Sequence, residues 1–240
     1  MRFRPSFWMT ALGAPALAVL IALGVWQVER REWKHDLLAR IADESAAPPR
    51  DLVEVLTGPE EARAYSHVEA DGVLDATRGV HLFAPEGQGG ADYRVIAPLD
   101  YGDGRVILVD LGTITEAEKK ALAGPVPPAA GGQIHVEGIL RPSEAPGWTS
   151  AAPDPKANRW YTRDVPAIAA ALGLKDVPPF VLQAETPNAG GMPRPVAFRP
   201  DLADNHLAYA VTWFSLALIL CVVYVLFNLK RPDDKGHSGV

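Results

Sequence analysis

The chain is poor in cysteine: its 240 residues hold one, Cys221, inside an apolar run. The rest of the chain can form no disulfide and offers no cysteine pair for copper or thiol exchange. Positive charge is also short, with 23 Lys and Arg against 29 Asp and Glu, a net charge of -6. No basic stripe appears, so nucleic-acid binding is unsupported. A phosphate-binding glycine loop, a GxSxG elbow and an HExxH pair are all missing. The histidines (His35, His67, His81, His135, His206, His237) are scattered singly, without close metal-ligand spacing. No nucleophile, base and orienting group can be assembled, which argues against an exported membrane-tethered hydrolase.

What the chain does have is segregated hydrophobicity. Phe7 to Val28 contains no charged residue, and neither does Leu207 to Leu229. Each exceeds the ~20 residues needed to cross ~30 Å of hydrocarbon. A segment in hydrocarbon must satisfy its own backbone, so both should be helices. A cleaved signal peptide is the rival for the first run, since Arg2 and Arg4 precede it and Ala16-Leu17-Ala18 resembles a cleavage site. The apolar run continues past that site to Val28, and Glu29-Arg30-Arg31-Glu32-Trp33-Lys34 follows, which points to an uncleaved anchor. The expected organisation is a transmembrane helix at 7–28, an extracytoplasmic β-rich domain at 29–206 and a second transmembrane helix at 207–229.

The short flanks orient the chain. Arg2 and Arg4 precede the first helix, and Lys230, Arg231 and Lys235 follow the second. Both termini are therefore expected in the cytoplasm and the central domain on the other side. Phe7, Trp8, Trp26, Tyr209, Trp213, Tyr224 and Phe227 mark the interfaces. Six residues precede the first run and eleven follow the second, which leaves no room for a transit peptide. A bacterial inner membrane, with the domain in the periplasm, is the expected location.

Between the runs, Trp33, Leu37, Leu38 and Ile41 recur at helical spacing, extending the first helix to a stop before Pro48-Pro49. Strands are expected at 68–74, 80–83, 94–99, 105–111, 133–140 and 180–184, with Tyr101-Gly102-Asp103-Gly104 as hairpin turn. Thr115-Glu116-Ala117-Glu118 is a capping box leading into a helix through Ala123. Asp164 caps another, with Pro166 in its first turn and Gly173 at its end. The fold class is membrane α+β: two transmembrane helices flank a small antiparallel β-rich domain or barrel with short helices.

Four places carry a family resemblance. They are Leu23-Gly24-Val25-Trp26-Gln27 with Arg30 and Trp33-Lys34; the block Gly72 to Leu111; Asn158-Arg159-Trp160-Tyr161 with Arg163-Asp164; and Asn205-His206-Leu207 with Tyr209-Ala210 and Thr212-Trp213. Together they resemble the Surfeit-locus-one family of cytochrome c oxidase assembly proteins. Two departures stand out. Where the family shows Asn-Arg-Gly-Trp, this chain has Asp110-Leu111-Gly112-Thr113, and where it shows two Asn before the His, this chain has Asp204 and Asn205. The resemblance implies a non-enzymatic assembly factor for oxidase subunit I, with haem a synthase as a further partner. It also implies haem a binding, with His206 as an iron ligand.

The residues bear on that implication directly. His206, Tyr209, Ala210 and Trp213 share one face of the second helix. Ala14, Ala18, Ala22 and Trp26, at steps of four, offer a small-residue face on the first, and the two faces are expected to meet. Arg30, Arg31 and Lys34 could pair with propionates. The plainer readings are a water-satisfied interfacial His, snorkelling cations, and Trp26, Tyr209 and Trp213 as belt and packing residues. Asn158 to Asp164 is either a partner surface rich in Trp, Tyr and Arg or a loop held down by its aromatics. The alternatives in function are an assembly scaffold without haem and a membrane-anchored sensor domain.

Overall fold

The computed structural model describes residues 2–3, 5–86, 90–122, 124–127, 131–187, 191–200 and 205–230. Arg4, Ala123, Asp204, Arg231 and Lys235, invoked above, lie outside the described residues. The order is β1 (Arg2–Phe3), α1 (Phe7–Ala46), β2 (Arg50–Asp51), α2 (Leu52–Thr57), a 3-10 turn (Glu60–Ala62), β3 (His67–Leu74), β4 (Val80–Glu86), β5 (Gly90–Asp100), β6 (Val106–Thr115), α3 (Glu116–Ala121), β7 (Gly132–Pro142), α4 (Val165–Ala171), β8 (Phe180–Ala184), α5 (His206–Asn228) and β9 (Leu229–Lys230). These divide into a helical unit, Met1–Arg40 with Asp201–Val240, and a β unit, Ile41–Pro200.

In the helical unit, α1 and α5 are both long and apolar enough to cross a membrane. They run antiparallel. Ser6 N donates to Asn228 Oδ1 at 2.8 Å, and the Thr10 and Tyr224 hydroxyls meet at 2.5 Å. At the other end Gly24 allows the closest approach, because a Cβ there would stand 2.6 Å from the Phe214 ring. The contact face of α1 carries Gly13, Leu17, Leu20, Gly24 and Gln27, at alternating steps of four and three. Ala14, Ala18, Ala22 and Trp26 are exposed instead, so the expected alanine face is not the one that packs. The reason is angular. Steps of four advance about 40° each around a helix, whereas a repeat of seven stays on one side. On α5 the expected stripe does turn inward at His206, Ala210 and Trp213, but Tyr209 points out. Beyond the apolar run α1 continues to Ala46 and stops ahead of the proline pair.

In the β unit, β3, β5, β6, β8 and β7 pair in a closed ring, with β4 added to β5 and β2 to β3. The sheet is mixed, which corrects the antiparallel expectation: β6 and β8 are parallel, as are β2 and β3. Five strands in a ring cannot alternate direction throughout, so one neighbouring pair must run parallel. That pair is β6 and β8, because β8 slots between β6 and β7. Numbered along the chain, the ring order is first, second, third, fifth, fourth. This is the connectivity of the OB-fold, a five-stranded barrel. Alternation fills it: Val68, Ala70, Val95, Ala97, Ile107, Val109, Leu140 and Leu182 point inside. A second core lies outside the ring, where α4 and Trp160 cover Val80, Leu82, Ile96, Leu108 and Val181.

The capping box at Thr115 and the Asp164 cap both form, Asp164 Oδ1 accepting from Ala167 N at 3.1 Å. The short helix α2, capped by Asp51, was not among the expected elements. Gly112 has a structural reason to be glycine. Its φ is +112°, and a Cβ there would lie 1.9 Å from the Arg194 carbonyl oxygen, where Thr113 and Arg194 exchange backbone hydrogen bonds of 2.8 and 2.9 Å. Gly112→Ala should cost about 2–3 kcal/mol in denaturant melts, from left-handed strain and lost bridge bonds. A melt unchanged from wild type would contradict this packing.

The Asn158 to Asp164 segment is packed down. Trp160 N donates to His81 O at 3.0 Å, and Phe83 N donates to Trp160 O at 2.8 Å, so the segment covers the outer edge of β4. Asn158 Oδ1 accepts from His81 N, and its Nδ2 donates to Gly79 O, both at 3.1 Å. Trp160 and Arg163 are buried, and Arg163 bonds to Glu144. Only Arg159 is left fully outside.

His81 lies beneath this segment, 4% exposed, with Nε2 donating to Pro125 O at 2.7 Å. Burial first, then the Lys119 charge, push its pKa down from 6.5 to about 4. The unfolded chain therefore binds an extra proton between those values. Stability should fall as pH drops from 6.5 to about 4, with His81 adding at most about 1.4 kcal/mol per pH unit. His81→Phe should flatten that slope in melts across this window; an unchanged slope would contradict a buried neutral imidazole.

Candidate functional site

The end of the helical unit away from Ser6 and Asn228 gathers the residues singled out in the sequence. Asn205 is the N-cap of α5 without a side-chain capping bond, and His206 opens the first turn. Across the pair, His206 Nδ1 lies 2.8 Å from Gln27 Oε1, and Gln27 is buried. An amide oxygen only accepts, so Nδ1 carries the proton and the imidazole lone pair is on Nε2. A polar pair between two apolar helices also pins their register.

The other candidates take distinct places. Trp213 faces inward two turns on, and its buried indole Nε1 has no hydrogen-bond partner. Trp26 and Tyr209 are 52% and 56% exposed and present ring faces outward. The Arg30 guanidinium stacks 3.8 Å over the Trp33 ring. Lys34 is buried one heptad beyond Gln27, on the contact face, with Arg31 between them. The structure thus turns His206 and Trp213 toward the helix pair, leaves Trp26, Tyr209 and Arg30 exposed, and buries Lys34. Gln27 was quoted as part of a motif but not taken as a site residue. Its signal was present in the seven-residue spacing of Leu20, Gln27 and Lys34, which puts an amide on the packed face.

Comparison with known proteins agrees over nearly the whole chain. The model of the SURF1 family matches residues 14–218. The chain belongs to the SURF1 family. A SURF1-like protein of Rickettsia prowazekii (strain Madrid E) is 29% identical over 231 residues, covering 90% of each chain. A SURF1-like protein of Rickettsia conorii is 27% identical over 219 residues, 88% of each. Surfeit locus protein 1 of Xenopus tropicalis is 26% identical over 216 residues, 81% of this chain and 67% of its own. The matched span takes in both Gln27 and His206, so the pair lies within the family's common extent.

Chemically, His206 offers the kind of donor that a haem iron accepts. An iron takes a neutral imidazole nitrogen as axial ligand, and Gln27 holds His206 in the tautomer whose lone pair is on Nε2. Exposed aromatic faces adjoin it, and the Trp213 indole is a donor in search of an acceptor. Among the described residues no group of three or more His, Cys, Asp or Glu could hold a metal ion by protein ligands alone.

Proposed function

We propose that this chain is an inner-membrane assembly factor for cytochrome c oxidase, assisting the insertion of haem a into subunit I, with haem a synthase as the source. Membership of the SURF1 family supports it, as do two helices of membrane-crossing length. Segments 7–28 and 207–229 cross a bacterial inner membrane with both termini cytoplasmic, and the barrel is periplasmic. The basic flanks at Arg2, Arg4, Lys230, Arg231 and Lys235 favour that orientation. The observation that carries the haem reading is the His206–Gln27 bond of 2.8 Å, which organises an imidazole at the outer mouth of the helix pair.

When bound, haem a would supply an iron that accepts a nitrogen ligand and two propionates that accept hydrogen bonds. The chain's own work is to hold and release. His206 would provide the nitrogen, Gln27 would orient it, Arg30 and Lys34 would neutralise carboxylates, and Trp26, Tyr209 and Trp213 would supply the aromatic surface near the macrocycle. None of these steps makes or breaks a covalent bond, so the protein acts without enzymatic chemistry. A scaffold role without haem is favoured by one feature, the outward Trp26 and Tyr209 faces, which suit packing on a larger membrane partner.

Deleting the gene tests the reading. Membranes should lose most oxidase-bound haem a, and the wild-type gene should restore it. Full haem a content in the deletion strain would contradict a role in oxidase assembly. Restoration by His206→Ala to the wild-type level would favour the scaffold.

A further inference from the structure

A cleft of about 490 Å³ lies within the β unit, between the connection from β3 to β4, the loop after α3, and the segment from Pro155 to Leu172. That volume is in the range of ligand sites. Its position matches the fold. In OB-type barrels the connections between the first and second and between the fourth and fifth ring strands bind ligands. Here those connections contribute Thr77 to His81 and Pro155 to Leu172.

The lining has one apolar side and one cationic side. Val80, Trp160 and Leu172 form the apolar wall, and Arg78 and Lys119 are the only charged residues among the lining. Arg78 is already paired, its Nε 2.7 Å from Asp75 Oδ2. Lys119 has no ion pair among the described residues; its ammonium lies 3.9 Å over the Tyr93 ring and 3.4 Å from Asn158 O. Partial burial and the neighbouring Arg159 charge both act against that ammonium and lower its pKa. The one carboxylate that acts on Lys119, Glu116, is already tied to Lys120 at 2.9 Å. A partly desolvated cation with no carboxylate of its own, at the side of an apolar wall, calls for an anion carrying an apolar body. His81 in the same wall is neutral and adds no competing charge.

We propose that this cleft binds a small apolar carboxylate, its carboxylate on Lys119 and its body against Val80, Trp160 and Leu172. The site lies in the β unit and stands whether or not the helical unit carries haem.

The test uses the full chain in lipid nanodiscs, titrated calorimetrically with 1-naphthaleneacetate against empty nanodiscs. One molecule per chain should bind, with Kd of about 1 mM or tighter. Lys119→Met keeps the stem over Tyr93 and should weaken the acid about tenfold, leaving neutral 1-naphthaleneacetamide unchanged. Leu172→Trp fills the cleft and should abolish binding of both. Lys119→Gln serves if the Met variant fails to show a wild-type melt. Equal affinity for the acid in the Lys119 variant, unchanged binding in Leu172→Trp, or no saturable binding by the folded wild type would each overturn the proposal.

Discussion

Asp110→Ala should destabilise the barrel by about 3–5 kcal/mol, the cost of stranding one partner of a buried ion pair. Asp110 is fully buried on the outer side of β6, and Arg94 Nε donates to its Oδ2 at 2.5 Å. Its other oxygen accepts from Gly112 N at 3.1 Å. Among the described residues Asp110 is the only ion-pair partner of Arg94. Arg141 lies close enough for the Arg94 charge, and more strongly that of Arg163, to lower its pKa after burial itself. Glu144 bonds to Arg163 and reaches Arg141 at 3.6 Å. Arg94 Nη2, Arg141 Nε and Arg163 Nε already lack acceptors. Removing Asp110 therefore leaves Arg94 without its carboxylate beside Arg141 and Arg163, which already share Glu144. Denaturant melts of the single variant, and of Asp110→Leu with Arg94→Met, separate charge from shape. The double variant should recover most of the loss; a single variant as stable as wild type would contradict a buried pair.

If His206 ligates haem a as proposed, Gln27→Leu should weaken haem a retention about 10–100-fold, the usual consequence of losing the group that orients a ligating histidine. Leucine fills similar volume between the helices but cannot accept from Nδ1, so the imidazole loses its fixed tautomer and angle. Gln27→Glu keeps an acceptor and should restore most of the affinity. A merely structural role would lower the melting temperature in step with retention. The positioning role instead predicts a changed haem spectrum in a chain that melts as wild type. Retention unaffected by Gln27→Leu would contradict it.

These two predictions draw on residues of different legibility. The apolar runs, the Tyr101 to Gly104 hairpin, the Thr115 capping box and the Asp164 cap could all be read, because each rests on neighbours within a few positions. The ring order could not, since nothing local tells β8 to enter between β6 and β7. For the same reason the parallel pair went unread. The glycine surviving at Gly112 became explicable only once Arg194, distant in sequence, was placed against it. His206 and Trp26 were legible as rare residues at the ends of the uncharged runs. Gln27 was missed because helix contact was read from alanine steps of four, while the glycines Gly13 and Gly24 mark the true seven-residue face. The Asn158 segment looked equally suited to partner binding or packing, and its backbone bonds to β4 favour packing.

The central claim is that His206, held by Gln27, takes the iron of haem a. The most direct measurement is the absorption spectrum of the detergent-purified chain, co-expressed with haem a synthesis, beside His206→Ala. A reduced haem a band in the wild type that is lost in the variant is the predicted result. A band that survives the substitution, or none in either protein, would contradict it.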